Sequence, residues 1–207
     1  MIILQIMRSN KNNIIKINSD YILSKIGKTD KKNVLYVGPG DGAYLNHLKI
    51  DINNFYLVEK NLLNFNSFKI LHPHHKIYNH DILEPKQKFK NFFDIIFSFS
   101  LVQYFSYQEL LKYNEIIKSY LKNKDSYCIN MSIPNIEMRN SYILNAIFNN
   151  NYNLKGFLFD VGGIIFKNNA LFSTDVSYWH NPKKLKNCDV CYNSDVFYRF
   201  DYSLRKS

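Results

Sequence analysis

Three glycines at alternate positions, Gly38, Gly40 and Gly42, directly follow an apolar run at residues 34–37. The run predicts a buried strand, and apolar positions between residues 43 and 48 then recur at about helical spacing, which predicts a helix. A strand, a glycine turn and a helix in this order expose backbone N–H groups at the helix N-terminus, and glycines lack the Cβ atoms that would obstruct a ligand. The stretch therefore predicts a site for a nucleotide-like ligand.

Two classes of nucleotide-like cofactor use such a turn. The spacing Gly38-x-Gly40-x-x-Ala43 fits the fingerprint of dinucleotide-binding units. The run Gly38-Pro39-Gly40-Asp41-Gly42 also resembles the first motif of class I S-adenosyl-L-methionine (SAM)-dependent methyltransferases. The residues that follow the turn have to decide between the two classes.

A carboxylate ends the next predicted strand. Residues 54–59 form a short, largely apolar run that closes on Glu59, about twenty residues beyond the glycines. Both cofactor classes need an acid here, because a carboxylate accepts hydrogen bonds from the two hydroxyls of a ribose. Glu59 and its neighbour Lys60 are therefore candidate cofactor-binding residues. The alternative is a solvated acid beside a lysine at the end of a strand.

The third predicted strand and its exit loop, residues 76–83, contain the pair Asp81-Ile82. The pair suits an adenine ring, because the carboxylate can accept from the exocyclic amine while the isoleucine covers the ring face. Dinucleotide-binding units require no acid at this point, so the pair favours SAM. The alternative is that Asp81 caps a helix or lies solvated in a loop.

The elements that follow alternate in type. Residues 93–104 predict a buried central strand with its exit loop, and residues 125–133 predict another strand, which Pro134 ends. Between them, Ser106 and Glu109 form a capping box at the start of an amphipathic helix. Strands that alternate with helices predict βαβ units and a parallel sheet.

The two ends of the chain and one long segment depart from this alternation. Residues 1–17 predict only an edge strand or a loose arm, ahead of a helix over residues 18–27. Residues 135–182 are irregular and aromatic, and we expect them to cap the ligand crevice. Two strands at residues 189–192 and 196–204, joined by a turn-type linker, predict a closing antiparallel hairpin.

Taken in order, these residues resemble a class I SAM-dependent methyltransferase of the small-molecule type. The resemblance covers residues 34–131 and the hairpin, and it rests on the three glycines, Glu59, Asp81-Ile82, the strand Phe93-Asp94-Ile95-Ile96, its exit Leu101-Val102-Gln103-Tyr104 and the closing strand Phe197-Tyr198-Arg199-Phe200. It implies an α/β, Rossmann-like, doubly wound sheet of seven strands. The implied strand order is 3-2-1-4-5-7-6, with the last strand antiparallel and an aromatic capping insert after strand 5.

The sequence departs from the family at one position. The family usually has an acid two residues before the first glycine, near the methionine amino group, and this chain has Tyr36 there. Asp41 or a backbone carbonyl near Ser98 is the expected substitute.

The resemblance implies candidate residues for each role. The cofactor candidates are Tyr36, Gly38, Pro39, Gly40, Asp41, Gly42, Glu59, Lys60, Asp81, Ile82, Ser98 and Phe99. The acceptor candidates are Gln103, Tyr104, Arg139, Tyr178, Trp179 and Arg199. A hydroxyl or ammonium acceptor must lose a proton, and His180 and Tyr104 are the candidate bases. The alternatives are that His180 is a capping or surface histidine and that Arg199 lies on the surface of the last strand.

Composition limits the class of protein. The net charge of +10 comes almost entirely from scattered lysines, with arginine, the better phosphate ligand, at only four positions. We interpret it as a compositional bias that leaves room for an anionic small substrate, with nucleic acid less favoured and no membrane partner. Three cysteines give no disulfide framework, and no signal peptide or bilayer-length apolar run is present, so we expect a cytoplasmic protein.

Two histidine and cysteine clusters invite a metal interpretation. The run His72-Pro73-His74-His75 contains no acid or cysteine, and Cys188-x-x-Cys191 has no second pair. A surface turn and apolar filler are the simpler interpretations, so we expect no metal.

The sequence thus predicts one domain over residues 1–207 that transfers a methyl group from SAM to O or N of a small metabolite, sugars and phosphorylated compounds included, leaving S-adenosyl-L-homocysteine (SAH). Three alternatives remain. The first is a nucleic-acid methyltransferase, against which the chain has Ser98-Phe99-Ser100-Leu101 where such enzymes have Asn/Asp-Pro-Pro-aromatic. The second is a non-catalytic SAM-binding partner subunit, which Tyr36 favours. The third is an NAD-dependent oxidoreductase.

Overall fold

Seven β-strands form one mixed sheet in the computed structural model, which describes residues 2–138, 141, 178–192 and 199–206, with side chains from residue 13 onward. The strands are β1 (Val34–Val37), β2 (Phe55–Glu59), β3 (Lys76–Asn79), β4 (Ile95–Phe99), β5 (Tyr127–Pro134), β6 (Asp189–Cys191) and β7 (Arg199–Arg205). The α-helices of this part are α1 (Ile2–Ile26), α2 (Leu62–Leu71) and α3 (Tyr107–Tyr120).

The strand order of the sheet is β3-β2-β1-β4-β5-β7-β6. Parallel pairing runs from β3 through β2, β1 and β4 to β5. β7 is antiparallel to both β5 and β6. The predicted α/β class, the strand order and the antiparallel closing hairpin are therefore confirmed.

The centre of the sheet is buried on both faces. Every residue of β1 and of β4 is buried, and Val34 lies beside Ile95 in the parallel register. One polar side chain of β4, Ser98, donates to Asn130 Oδ1 of β5 at 2.7 Å. Because parallel strands covered on both faces carry continuous apolar runs, the sequence locates this part of the sheet well.

Two apolar clusters lie on opposite faces of the sheet. On one face, Ile22 and Ile26 of α1 join Phe68 of α2 in a single core cluster. On the other face, α3 contributes Leu110 and Ile117, among others, to a second cluster. The capping box predicted at the start of α3 is confirmed, with the side chain of Ser106 and that of Glu109 each bonded to the other's backbone N–H.

The prediction for the first 17 residues is wrong, because α1 begins at Ile2 and continues to Ile26. Among its side chains from residue 13 onward, Ile22 and Ile26 are fully buried, whereas Ile14 and Ile17 are more than half exposed. The last turns of the helix therefore have an apolar stripe, whereas the Asn- and Lys-rich sequence before them gives no periodic signal.

The helix predicted over residues 43–48 is also wrong: the structure has a single 3-10 turn at Leu45–His47. Leu48 already has an extended backbone, with φ −83° and ψ 98°. Soon afterwards Asp51 caps the next turn by accepting from the Asn53 N–H. α1 packs against the turn at Leu45–His47 and so covers part of the sheet face that an α-helix here would cover.

The aromatic capping insert at residues 135–182 stays a prediction, because residues 139, 140 and 142–177 lie outside the described part of the chain. At the end of that region a 3-10 turn, Pro182–Lys184, leads to β6. None of the helices in the described part of the chain is long and apolar enough to cross a bilayer.

Candidate functional site

A cavity of about 790 Å³ lies at the carboxyl ends of β1, β2, β3 and β4. Neighbouring strands β1 and β4 leave this edge toward opposite sides of the sheet, so the cavity lies at the topological switch point where α/β sheets bind ligands. Its wall consists of Tyr36, Val37, Gly38, Pro39, Gly40, Asp41, Tyr44, Val58, Glu59, Lys60, Asn61, Asn64, His80, Asp81, Ile82, Leu83, Phe99, Ser100, Leu101, Tyr104, Phe105 and Glu109.

The glycine loop after β1 forms the floor of this cavity. Gly38 and Gly40 have φ values of 70° and 59°, which a side chain would strain. A Cβ atom at Gly40 would meet no other atom within 4 Å, so this glycine leaves open space against the cavity. A Cβ atom at Gly42 would lie 2.9 Å from the ring of Phe68 instead. Gly42 is not among the residues of the wall, and it packs against α2.

Glu59 ends β2 with its side chain buried beside the loop. Its Oε2 accepts from the Gly40 N–H at 3.0 Å, and its Oε1 accepts from the Asn61 N–H at 2.8 Å. A carboxylate oxygen can accept more than one hydrogen bond, so both oxygens retain capacity for a ligand. The acid therefore fixes the loop and lines the cavity at once.

Asp81 lies farther along the same wall, beyond the end of β3. Its Oδ2 lies 2.7 Å from Lys60 Nζ, and its Oδ1 accepts from the Leu83 N–H at 3.0 Å. Partial burial opposes ionisation, but these hydrogen bonds outweigh it and lower the pKa of Asp81 below its ordinary value. The Asp81 side chain is consequently an anion at neutral pH, and Ile82 beside it is buried in the cavity wall.

Tyr36 takes the place where the resemblance implies an acid. Its ring stacks on Phe97 with centroids 4.4 Å apart, and the residue is almost fully buried. Burial, together with the nearby Tyr44, Glu59 and Asp41, raises the pKa of Tyr36 well above its ordinary value. The hydroxyl is thus protonated at neutral pH, so it brings a polar group to the cavity but no charge.

Some candidates at the end of β4 and just after it line the cavity, and others do not. Phe99 and Tyr104 line the cavity, and Tyr104 is half exposed. Ser98 lies inside the sheet, and Gln103 is buried away from the wall, where its Oε1 accepts from Arg199 Nη1 at 3.2 Å. The polar side chains of Ser98, Gln103 and Arg199 therefore do not line the cavity.

His180 does not line the cavity. The residue is buried, its Nε2 lies 3.1 Å from the Val102 carbonyl oxygen, and its N–H donates to the Pro134 carbonyl. Burial lowers the pKa of the imidazole, although its bond to Val102 opposes the shift. In the described structure this histidine fastens residues 178–180 to the exit of β5, and nothing there places it as a base.

Tyr178 and Trp179, two of the other acceptor candidates, do not line the cavity either. Tyr178 is partly exposed, and its N–H donates to the Gln103 carbonyl. Trp179 is half-buried next to it. Arg139 lies outside the described residues.

Several cavity residues escape the sequence analysis: Tyr44, Asn61, Asn64, His80, Leu83, Ser100, Leu101, Phe105 and Glu109. Most of them follow the end of a strand by a few positions, and this nearness to a strand end is the sequence signal that could have identified them as cavity residues. Glu109 was assigned only to the capping box, and hydrogen bonds from Ser106 lower the pKa of its carboxyl. The start of α3 faces the same edge of the sheet, which brings this acid to the cavity.

His72 and His75 form part of an aromatic cluster around Phe68. The rings of His72 and His75 lie 5.4 Å apart, and each packs on Phe68. Within the described part of the chain, no group of three or more metal-ligating side chains is assembled.

No protein-family model matches the sequence, and no curated protein matches it by sequence. Solved structures do match. One is phosphoethanolamine N-methyltransferase 1 of Haemonchus contortus in complex with phosphoethanolamine and SAH, with a TM-score of 0.61 and 10% identity over 89% of this chain and 41% of that chain.

Two further structures are similar. A protein of Methanococcus maripaludis, provisionally assigned as a SAM-dependent methyltransferase, has a TM-score of 0.53 and 14% identity over 94% of this chain and 86% of that chain. DesVI of Streptomyces venezuelae has a TM-score of 0.53 and 16% identity over 65% of this chain and 57% of that chain. The chain thus spans less than two thirds of DesVI and of the Haemonchus enzyme. The sequence identities are low, so the likeness is one of fold, and the chain has the fold of class I SAM-dependent methyltransferases.

Proposed function

We propose that this protein is a SAM-dependent methyltransferase that acts on an oxygen or nitrogen of a small molecule. The observation that supports this proposal is that Gly40, Glu59 and Asp81, which are far apart in the sequence, line one cavity at the switch point of the sheet. A carboxylate near a ribose and another near an adenine amine are what an adenosyl ligand requires.

The cavity has a suitable residue for each part of SAM. Glu59 would accept from the ribose hydroxyls, Asp81 would accept from the adenine amine, and Ile82 would cover the ring face. The open space at Gly40 allows the ligand to approach the backbone closely. Tyr44 and Phe99, whose rings pack edge to face with centroids 5.5 Å apart, offer aromatic faces to a cation such as a sulfonium. When bound, SAM supplies the methyl group as an electrophile.

The protein's contribution to methyl transfer would be alignment. Holding two reactants in the reactive geometry accounts for about 7–11 kcal/mol of a barrier. Tyr104 and Phe105 line the cavity just past β4, where an acceptor would enter, and Tyr104 is the candidate base that the cavity wall contains. The N-methyltransferase neighbour bound to phosphoethanolamine supports a small acceptor, an anionic one included.

Isothermal titration with SAH tests the cofactor part of the proposal. We expect Asp81→Asn to weaken SAH about tenfold, because the neutral amide oxygen of Asn accepts a weaker hydrogen bond than a carboxylate does. Glu115→Gln is the matched control, since Glu115 is exposed on α3 and pairs only with Lys118 in the described contacts. Equal affinities for wild type and Asp81→Asn would contradict the assignment of the adenine site.

Transfer of a labelled methyl group from SAM to a panel of amines, alcohols and phosphorylated metabolites tests the reaction. The competing function is that of a non-catalytic SAM-binding subunit. It is favoured by the uncharged Tyr36 and by the 3-10 turn that follows the glycine loop in place of an α-helix. Binding of SAH without transfer to any member of the panel would support that alternative.

A further inference from the structure

Ser100 lines the cavity and differs from its neighbours in backbone conformation. Its φ is 53°, in the left-handed region that residues other than glycine rarely adopt. The described residues of this kind are Lys31, Asn91, Ser100, Ser132 and Asn187. Of these, Ser100 is the one in the cavity wall.

Ser132 shows how the protein stabilises such a conformation elsewhere. Its N–H donates to Asp201 Oδ1 at 2.9 Å, and its carbonyl and hydroxyl accept from Arg199. Ser100 is held by one backbone bond, from its N–H to the Met131 carbonyl at 3.0 Å. Its hydroxyl makes no hydrogen bond to any residue that the structure describes. A strained, half-buried serine with a free hydroxyl in a cavity is a functional candidate, because strain of this kind concentrates at ligand sites.

The sheet determines which part of a ligand Ser100 would meet. Asp81 follows β3, Glu59 ends β2, Gly38 follows β1 and Ser100 follows β4. These strands are adjacent in that order across the sheet. A SAM molecule with its adenine at Asp81 and its ribose at Glu59 would therefore place its amino-acid end over β1 and β4, beside Ser100.

We propose that the Ser100 hydroxyl binds the α-amino-acid group of SAM, and that it makes the cavity select SAM over adenosine thioethers that lack this group. A hydroxyl can accept from an ammonium or donate to a carboxylate. Tyr36 stands where the resemblance implies an acid, and it brings a protonated hydroxyl to the cavity, to which the Ser100 hydroxyl would add a second polar group. The inference rests on the proposed function and adds a specificity-determining residue to it.

Isothermal titration of the wild type and two variants with SAH and with 5′-methylthioadenosine tests the proposal. Ser100→Ala removes the hydroxyl and keeps the strain, whereas Ser100→Gly removes both. We expect each variant to bind SAH about tenfold more weakly and to change its affinity for 5′-methylthioadenosine less than about twofold. Ser100→Gly should also unfold at the same temperature as wild type or higher.

The control is Lys31→Gly, which relieves a similar backbone, with φ 57°, in a turn outside the cavity. It should leave both affinities unchanged. Unchanged SAH binding in the Ser100 variants, or equal losses for the two ligands, would overturn the inference while leaving the proposed function in place. Wild-type protein that binds neither ligand would overturn the proposed function and this inference together. Should Ser100→Ala fail to fold, Ser100→Gly decides alone.

Discussion

At the scale of single residues, identical amino acids in one loop serve different ends. Gly40 leaves open space in the cavity floor, whereas Gly42 makes room for the ring of Phe68. The sequence predicts the loop and the acids Glu59 and Asp81 from their spacing. It cannot predict that Gly42 faces α2, because that depends on where a helix twenty-odd residues later packs.

Substituting these two glycines should separate stability from binding. Gly42→Ala forces a methyl group against Phe68 at a φ of 78°, and we expect a loss of about 1–3 kcal/mol in the free energy of unfolding, measured in urea. Gly40→Ala should cost only about 1 kcal/mol of backbone strain but weaken SAH strongly, because its methyl group would project into open cavity space. Equal effects of the two variants on both quantities would contradict this division.

At the scale of elements, the buried carboxylate of Asp201 connects α1 to β7, the last strand of the chain. Asp201 of β7 accepts from the Tyr21 hydroxyl and from the Ser132 N–H, and it lies 3.3 Å from Lys25 Nζ. Burial raises the pKa of Asp201, although these partners oppose the shift. The sequence does not predict α1 before its last turns. It does not predict this contact either, because the partners lie far apart in the sequence, in the first helix and the last strand.

Removing this carboxylate should destabilise the whole fold. We expect Asp201→Ala to lower the free energy of unfolding by about 3 kcal/mol, because the buried donors lose their acceptor. Asp201→Asn keeps an acceptor oxygen and should lose about 1 kcal/mol. Asp189→Ala, at an exposed position of the neighbouring strand β6, is the control and should change stability by less than about 0.5 kcal/mol. Urea unfolding that gives losses below about 0.5 kcal/mol for both Asp201 variants would refute the role of the carboxylate.

At the scale of the whole molecule, the charge of the cavity is opposite to that of the chain. The protein carries a net charge of +10. Its cavity wall nevertheless contains four acidic residues, Asp41, Glu59, Asp81 and Glu109, and one lysine, Lys60. The sequence gives the overall charge directly, but it does not show this local reversal, which arises only when the strand ends and the start of α3 come together.

This charge distribution predicts how the protein responds to a polyanion. Bulk RNA should bind weakly at low salt, with affinity that falls steeply as salt rises, because scattered lysines attract it. It should not compete with SAH, because the lysines that attract RNA are scattered over the chain and Lys60 is the one that lines the cavity. Filter binding of RNA at about 50 mM and about 200 mM salt measures the first effect, and titration of SAH with and without RNA at about 50 mM salt measures the second. Displacement of SAH by RNA would favour the nucleic-acid methyltransferase instead.

The bond between Tyr21 and Asp201 joins residues 180 positions apart. During synthesis on a ribosome, the Tyr21 hydroxyl can therefore donate to Asp201 only after β7 has left the exit tunnel. The contact between the first helix and the last strand should consequently form late, after the parallel strands between them have already paired.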